Sequence, residues 1–380
     1  MKILHTSDWH LGRTFKSASL HDDHAHILDQ VLDILVRERA DALIIAGDVF
    51  DRAAPPATSV ALFDDFLKRA YHDTTAAIIV IAGNHDSGER IGMNAVFADP
   101  KRALIRGRVL ENEPPLILED AHGPVAFSAL PYGETYAARD CFGDATIASP
   151  ADVMAAQVNA ARKDLPASCR WVVSAHAFVA GGQSSESERM LSAGGVETTP
   201  PDTFKGADYV ALGHLHRAQT AGAPHIRYSG SPLAFGFDEA GLEKSVSMVT
   251  LNKDGFEGVE TIALSPRRRV IEMKGALDDL EKQGAANPSD DFIRAVLTDD
   301  GALVDPMARL RRVYPNTLEI TRERKAKSAA TRRDSATSNL NDPQAVMNEF
   351  LAYVRQSEPH KDEAALIKDA LDKTLADKDH

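Results

Sequence analysis

The sequence predicts an α/β protein that is extended by a small α+β unit and by C-terminal helices. Three observations support this class. Residues 1–265 alternate short, continuously apolar strands with helical segments, which is typical of a sheet covered on both faces. Residues 266–333 hold 15 Lys and Arg against 11 Asp and Glu, in a chain whose net charge is -13. Residues 324–342 are poor in apolar side chains, as linkers are.

These changes divide the 380 residues into four parts. We expect an α/β domain at 1–265, a small α+β domain at 266–323, a linker at 324–342 and a helical tail at 343–380. The tail carries two apolar stripes at helical spacing, one around Phe350 and one around Leu371. Short helices cannot bury two such stripes by themselves, so the tail favours a partner surface.

The secondary-structure elements follow from the apolar patterns. Apolar runs that end at turn residues predict strands at 2–6, 42–46, 77–82, 171–174 and 209–212. Apolar residues at helical spacing predict helices at 20–39 and 57–71. In the small domain, the pattern predicts strands at 269–273, 292–297 and 318–320, and a helix at 305–312.

Composition excludes several classes of protein. No run of 18 apolar residues exists, which excludes an apolar membrane-spanning helix. The two cysteines, Cys141 and Cys169, do not form a CxxC motif, which excludes a disulfide scaffold and a thiolate zinc site. The N-terminus lacks the pattern of a secretory signal, so we expect a cytoplasmic protein. The negative net charge disfavours binding to DNA through bulk charge alone.

Five predicted strands end in side chains that bind metals in other proteins. Because the carboxyl ends of parallel strands meet at one edge of a sheet, we expect these side chains to lie on one rim. Carboxylate, amide and imidazole ligands without thiolates suit Mn²⁺, Fe²⁺ or Zn²⁺. Each motif alone also fits a simple turn or core residue, whereas all five in this order are specific. They are Asp8-x-His10, Gly47-Asp48, Gly83-Asn84-His85-Asp86, His176 and Gly213-His214-Leu215-His216.

In this order the motifs resemble those of the calcineurin-like metallophosphoesterases. The resemblance is closest to one branch, the SbcD-type nuclease subunits, and covers residues 1–265 by motif and the remainder by layout. It implies a sandwich of two mixed β-sheets flanked by helices, followed by a small DNA-capping domain. The segments that carry the closer resemblance are 6–12, 47–52 with Pro55 and Pro56, 82–87, and Tyr228-Ser229-Gly230-Ser231-Pro232.

The resemblance also implies the roles of the site residues. It implies two divalent metal ions, expected to be Mn²⁺, and His85 as the catalytic residue that assists the leaving group. A bridging carboxylate reduces the repulsion between two cations that lie about 4 Å apart. The implied ligands are Asp8, His10 and His216 for one ion and Asn84, His176 and His214 for the other, with Asp48 bridging both.

The function that the resemblance implies is a metal-dependent DNA nuclease acting in DNA repair, recombination and replication. It would be a double-strand exonuclease and a single-strand and hairpin endonuclease. The expected partners are double-stranded DNA ends and hairpins, and an SbcC-type coiled-coil ATPase bound through the C-terminal helices. A second copy of the chain would complete a homodimer within a heterotetramer. No membrane partner is expected, and the expected location is the cytoplasm, associated with the nucleoid.

Two other function classes stay open on sequence grounds. The same fold and metals serve cyclic-nucleotide phosphodiesterases and protein phosphatases. The protein phosphatases typically carry Asp-Arg-Gly and Asn-His-Glu, where this chain has Asp51-Arg52-Ala53 and Asn84-His85-Asp86. The other class is a non-catalytic scaffold for the ATPase, which the complete ligand set disfavours.

Four further features have two interpretations each. Trp9 either packs beside the site or stacks on a base. Asp86 either caps a turn or orients a neighbouring site residue. We expect the His and Asp residues at 21–26 to form a solvated start of a helix rather than a metal cluster. We expect the arginines at 267–269 to form a solvated surface rather than a DNA contact.

Overall fold

The computed structural model describes residues 1–93, 95–112, 114–185, 187–188, 198–323, 344–347 and 360–376. It contains two six-stranded sheets, a three-stranded sheet and a small two-stranded hairpin. Helices cover the outer faces of the two large sheets, and a shared apolar core lies between them. The predicted sandwich of two mixed sheets flanked by helices is confirmed.

The first large sheet is mostly parallel. Its four central and edge strands β1, β4, β5 and β6 run parallel, and β13 and β14 add an antiparallel edge. The strand order is β14-β13-β1-β4-β5-β6. The strands are β1 (Lys2–Thr6), β4 (Ala42–Ala46), β5 (Ala77–Ile81), β6 (Ala103–Arg106), β13 (Ser245–Asn252) and β14 (Gly255–Ala263), and the separate hairpin is β2 (Thr14–Phe15) with β3 (Ala18–Ser19). The helices associated with this half are α1 (His21–Glu38), α2 (Ala57–Asp73) and the short α3 (Gly88–Gly92).

The second large sheet has the order β11-β12-β10-β9-β8-β7. Its four inner strands are parallel, and the strand at each edge is antiparallel to its neighbour. The strands are β7 (Leu116–Asp120), β8 (Gly123–Leu130), β9 (Arg170–His176), β10 (Tyr209–Gly213), β11 (Gln219–Ala221) and β12 (Ala223–Tyr228). The helices on this half are α4 (Thr135–Phe142) and α5 (Pro150–Lys163), and α5 begins with a capping box between Ser149 and Asp152.

Alternation along β4 explains why its whole sequence is apolar. Leu43 and Ile45 point to the helix-side core, whereas Ile44 packs between the two sheets. Burying one such side chain contributes about 2 kcal/mol to the free energy of unfolding. One polar link crosses the same interior, since the His5 Nδ1 atom lies 2.8 Å from the Tyr209 hydroxyl. This contact joins β1 of the first sheet to the first residue of β10 in the second sheet.

The small α+β unit is a separate three-stranded parallel sheet. It comprises β15 (Val270–Gly275), β16 (Phe292–Leu297) and β17 (Thr317–Arg322), with α6 (Leu277–Ala286) and α7 (Pro306–Arg311) packed on it. Its Phe292 ring meets the Phe15 ring of the first domain at 5.4 Å. The unit therefore has its own core but rests on the first domain through an aromatic contact.

The start of α1 corrects one expectation. Asp23 is only 1% exposed and His24 only 2%, so the segment at 21–26 is not a solvated surface at those two positions. Asp23 accepts a hydrogen bond from Arg268 Nε at 3.0 Å, and the Arg268 guanidinium lies 4.3 Å above the Phe292 ring. The middle arginine of the 267–269 run is thus a contact between the two domains, which sequence periodicity does not reveal.

The tail is described in two pieces. Residues 344–347 are helical, and α8 (Lys361–Ala376) is a longer helix. Leu366, on the predicted stripe of α8, is 70% exposed. The predicted linker at 324–342 and most of the stripe around Phe350 lie outside the described residues. Within the part of the chain that is described, no helix is both long and apolar enough to cross a bilayer.

Candidate metal centre

The structure brings all seven predicted ligands to one edge of the sandwich. Each follows, or ends, a strand of one of the two sheets, and the strands deliver their carboxyl ends to the same rim. Asp8 and His10 follow β1, Asp48 follows β4, Asn84 follows β5, His176 ends β9, and His214 and His216 follow β10. Residues that lie up to 208 positions apart are therefore neighbours because of sheet packing alone.

The backbone at this rim is unusual for side-chain-bearing residues. Four of the predicted site residues have positive φ, namely Asp8 (55°), His10 (48°), Asp48 (50°) and His214 (109°). Such conformations cost about 1–3 kcal/mol each and cluster at functional sites. Gly213 is required for another reason, since a Cβ there would lie 1.9 Å from the Ala46 carbonyl oxygen. The rim is thus strained and tightly packed to place its side chains.

One group of ligand atoms forms around Asp8. The Nε2 atoms of His10 and His216 lie 3.1 Å apart, and these two residues and Asp8 can present ligand atoms within 4.8 Å of one another. The Asp8 carboxylate accepts hydrogen bonds from Ser7 Oγ at 2.6 Å and from the His214 backbone N–H at 2.9 Å. The loop after β10 therefore holds the Asp8 carboxylate in position beside His10 and His216.

A second group forms around Asn84. The Asn84 Oδ1 atom lies 2.9 Å from His176 Nε2 and 3.1 Å from His214 Nδ1. Asp48 lies between the two groups, with Oδ1 3.6 Å from His176 Nε2 and Oδ2 3.6 Å from His10 Nε2. Each carboxylate oxygen of Asp48 therefore faces one group, which is the arrangement that a bridging ligand needs.

The electrostatics of the cluster suit a cation. Burial raises the pKa of Asp8 well above its usual range, and the charge of Asp48 raises it further. Burial lowers the pKa of His176 and His216 to about 4, and those of His10 and His214 well below the usual value. These imidazoles are therefore neutral at pH 7 and have a lone pair to donate. A cation among them would relieve the repulsion between the carboxylates, so the donor set fits a divalent metal.

Contacts behind the rings orient two of the imidazoles. His176 Nδ1 lies 2.9 Å from the Ala46 carbonyl oxygen, and His216 Nδ1 lies 2.7 Å from Ser187 Oγ. Since an acceptor behind Nδ1 leaves the lone pair on Nε2, these two rings present a ligand atom to the cluster. The buried His10 Nδ1 has no hydrogen-bond partner among the described residues, and Asp51 Oδ1 lies 3.6 Å from it.

His85 lies beside the cluster rather than within either group. Its backbone N–H donates to Asp48 Oδ1 at 2.9 Å, and its Nδ1 lies 2.8 Å from the Asp51 carbonyl oxygen. Its Nε2 atom lies 3.9 Å from Asp48 Oδ2, and the side chain is 7% exposed. The ring therefore has a fixed orientation next to Asp48, and it meets the His10 ring edge-on at 4.6 Å.

Asp86 has both of the roles that the sequence left open. Its carboxylate accepts hydrogen bonds from the backbone N–H groups of Val49, Phe50 and Gly83, so it joins the loops after β4 and β5. Burial and the charge of Asp48 raise the pKa of Asp86 to about 7. It caps a turn and, by doing so, positions the loops that carry Asp48 and Asn84.

Trp9 has the packing role and not the stacking role. It is fully buried, its ring meets the Phe66 ring edge-on at 4.9 Å, and its Nε1–H donates to Thr6 Oγ1. A side chain with no accessible face cannot stack on a base. Trp9 instead anchors the loop that carries Asp8 and His10 to α2.

Sequence reasoning missed four polar residues that surround His216. The His216 backbone N–H donates to Glu188 Oε1 at 2.6 Å, and Lys244 Nζ donates to the His216 carbonyl oxygen. Ser187 and Glu239 lie behind the ring. The available signal was weak, because these residues lie in loops without strand or helix periodicity. The acidic residues that follow the Tyr228–Pro232 motif were the only clue, since Glu239 falls in an otherwise mostly apolar segment.

Two family models and a solved structure match parts of this chain. The family of calcineurin-like phosphoesterases matches residues 1–218, which is more than half of the chain. An SbcD-type C-terminal domain, described as the type 5 capsule protein repressor C-terminal domain, matches residues 266–355. A solved structure, the crystal structure of TT1561 of Thermus thermophilus, is 15% identical over 69% of this chain and 98% of that chain, with a TM-score of 0.39.

The structural alignment is too distant to carry an argument, so the assignment depends on the two family matches and on the observed sheets. The family consists of phosphoester hydrolases that use divalent metals, which agrees with the donor set at the rim. The chain therefore belongs to the calcineurin-like phosphoesterase family, in its SbcD-type branch.

Proposed function

We propose that the chain is a metal-dependent DNA nuclease that acts as a double-strand exonuclease and as a single-strand and hairpin endonuclease. The observation that carries the proposal is the position of Asp48 between two groups of ligand atoms, with His85 beside it. The SbcD-type C-terminal domain supports DNA as the substrate.

Seven residues would hold the metal ions. Asp8, His10 and His216 would bind one ion, Asn84, His176 and His214 the other, and Asp48 both. Divalent cations, proposed to be Mn²⁺, would neutralise charge on the scissile phosphodiester and lower the pKa of the attacking water. The protein contributes the fixed separation of the two groups and the neutral state of the imidazoles at pH 7.

His85 would move a proton. Because a carbonyl oxygen can only accept, His85 Nδ1 carries a proton that it donates to the Asp51 carbonyl. Nε2 is therefore the ring nitrogen that remains to exchange a proton with a substrate. In its charged form, the ring would donate the Nε2 proton to the leaving 3′ oxygen of the neighbouring nucleotide, as a general acid does.

The tail supports an ATPase partner. The exposed Leu366 on α8 leaves an apolar stripe available to another surface. We propose that the tail binds the coiled coil of an SbcC-type ATPase, as a helix binds in a groove. The DNA substrate implies a cytoplasmic location near the nucleoid.

A second copy of the chain is the other proposed partner. Met93, Val96 and Phe97 are 66%, 81% and 85% exposed, next to the loop that carries His85. Exposed apolar side chains at neighbouring positions of a chain favour a protein contact. Light scattering should give the mass of a dimer for the wild type. Phe97→Asp should reduce the measured mass to that of a monomer. A variant that remains dimeric would contradict the proposal that these side chains form the dimer contact.

Cleavage of end-labelled linear and hairpin DNA with Mn²⁺ tests the function. We expect the wild type to cut both substrates and His85→Ala to lose about 100-fold or more in rate while retaining metal. His122→Ala, which changes an exposed histidine in a turn, is the matched control. Full activity of His85→Ala would contradict the proposed role of His85 in proton transfer. Turnover of a small phosphodiester without cutting of DNA, even with the ATPase added, would contradict the nuclease assignment.

A further inference from the structure

The candidate ligand His216 is supported from behind by a chain of polar side chains. His216 Nδ1 lies 2.7 Å from Ser187 Oγ, and Ser187 Oγ donates to Glu239 Oε1 at 2.8 Å. A serine hydroxyl has one proton, and an ionised carboxylate can only accept. The Ser187 proton is therefore committed to Glu239, so the Ser187 oxygen accepts from His216 Nδ1–H.

This arrangement determines the tautomer of His216. With the proton on Nδ1, the lone pair lies on Nε2, the atom that faces His10 Nε2 at 3.1 Å. A neutral imidazole of the other tautomer would present an N–H to the cluster and would not bind a cation there. The hydrogen bond from Ser187 to Glu239 therefore favours the tautomer in which His216 presents a lone pair to the cluster.

Glu239 is itself held in its ionised state. It is 1% exposed, it forms an ion pair with Lys244, and it accepts the Phe235 backbone N–H at 3.2 Å. Lys244 Nζ also donates to the His216 carbonyl oxygen and to Ser231 Oγ, each at 2.9 Å. Burial of a charged pair is costly unless its hydrogen bonds are satisfied, and here they are. The pair thus binds both the side chain and the backbone of the His216 loop.

The turn that carries Glu239 is fixed from its other end as well. Glu239 lies in a single 3₁₀ turn, Phe237–Glu239, whose Phe237 ring lies 4.9 Å from the Phe15 ring. The Arg294 guanidinium of the small α+β unit lies 5.1 Å above the same Phe237 ring. The turn is therefore packed between the two domains, which restricts the position of the Glu239 carboxylate.

We propose that Glu239 is a positioning residue that fixes the tautomer and orientation of His216 through Ser187, and that it thereby sets the affinity of the cluster for a divalent cation. The inference rests on the proposed function in taking His216 as a metal ligand. Carboxylates that act behind a ligating histidine typically contribute a factor of about 10–100 to metal affinity.

The test is the dissociation constant for Mn²⁺ of the full chain, measured from the electron paramagnetic resonance signal of free Mn²⁺. We expect Ser187→Ala and Glu239→Gln to weaken binding about 10-fold. Ser187→Thr keeps the hydroxyl and should bind within about 3-fold of the wild type. Glu243→Gln makes the same chemical change as Glu239→Gln at an exposed neighbour, and it should leave the affinity unchanged.

Wild-type affinity in Ser187→Ala would overturn the proposal, as would equal losses in Ser187→Ala and Ser187→Thr. These two variants alter only a small side chain, so they decide the question even if Glu239→Gln fails to fold. The readout is binding rather than cleavage. A wild type that binds Mn²⁺ but cuts no DNA would therefore contradict the proposed function alone, and the Ser187 comparison would still decide this inference.

Discussion

The Nε2 atoms of His10 and His216 lie 3.1 Å apart, although the two residues belong to loops that follow strands of different sheets. Burial lowers the pKa of both rings, so neither is charged at neutral pH. Two neutral imidazoles beside buried carboxylates are a donor set that suits a divalent cation. Metal binding should therefore contribute to the stability of the folded chain.

The first prediction concerns this stabilisation. Mn²⁺ at 100 times its dissociation constant should raise the free energy of unfolding by about 2.7 kcal/mol, because it binds the folded state. The measurement is the Tm by differential scanning calorimetry, with Mn²⁺ and with a chelator. Ca²⁺, which prefers sites of oxygen ligands alone, should raise the Tm less. A Tm that does not respond to Mn²⁺ would contradict the metal centre.

The second prediction concerns Asp48. Asp48→Ala should abolish Mn²⁺-dependent hydrolysis and weaken Mn²⁺ binding, because it removes the carboxylate between the two groups and the acceptor of the His85 backbone N–H. The measurements are the rate of Mn²⁺-dependent hydrolysis and the affinity for Mn²⁺ by titration calorimetry. The control is Asp33→Ala, at an exposed position of α1, which should behave as the wild type. Full activity of Asp48→Ala would contradict the assignment of this site.

The third prediction concerns pH and the pair between Asp120 and Arg170. Arg170 donates to both Asp120 oxygens, at 3.0 and 2.5 Å, and holds the pKa of Asp120 well below its usual range. A lowered pKa stabilises the fold above the unfolded-state value of about 3.9 and loses this effect as the pH falls through the folded-state value.

Asp120→Asn should therefore lower the free energy of unfolding by about 3 kcal/mol at pH 7, since it leaves Arg170 buried without its partner. The difference from the wild type should persist down to about pH 4 and shrink as the pH falls further towards the lowered pKa of Asp120, as measured by urea unfolding. Asp254→Asn, at an exposed position, serves as the control and should change little at any pH. A difference that is independent of pH would rule out the charge of Asp120 as its cause.

The fourth prediction concerns the contact between the two domains. Arg268→Met should destabilise the protein by about 3 kcal/mol, because it leaves the buried Asp23 carboxylate unpaired. Arg267→Met changes the exposed neighbour and should cost less than about 0.5 kcal/mol. The midpoint of urea unfolding measures the loss of stability in each variant. Equal, small effects of the two substitutions would show that the ion pair does not hold the domains together.

The fifth prediction concerns the tail. Deletion of residues from Asp342 onward should leave the metal-dependent activity of the chain intact but abolish capture of the ATPase partner in a pull-down. Leu366→Ser should weaken the same capture through loss of the exposed apolar stripe, whereas Lys368→Ser on α8 should weaken it less. Capture by the truncated chain would place the partner surface elsewhere.

The sequence predicted the order of many elements and the set of side chains that the structure brings to one rim. Continuous apolar runs such as Ala42–Ala46 are strands because both faces are buried, and this shows in the sequence as unbroken hydrophobicity. The motifs at the strand ends predicted which polar side chains lie together, because parallel strands deliver their carboxyl ends to one edge. Several strands of the second sheet and the edge strands β13 and β14 have weaker patterns, and the sequence did not predict them.

The sequence by itself determined the α/β class, the candidate ligands and the place where the charge balance changes, because these depend on local composition and period. The tertiary structure alone decided that Asp23 pairs with Arg268, that Trp9 is buried and that Glu239 supports His216 through Ser187. Such contacts join residues that are distant in the chain and lie in loops or domain contacts. No local period encodes them, because their partners are selected only when the two sheets and the small unit pack together.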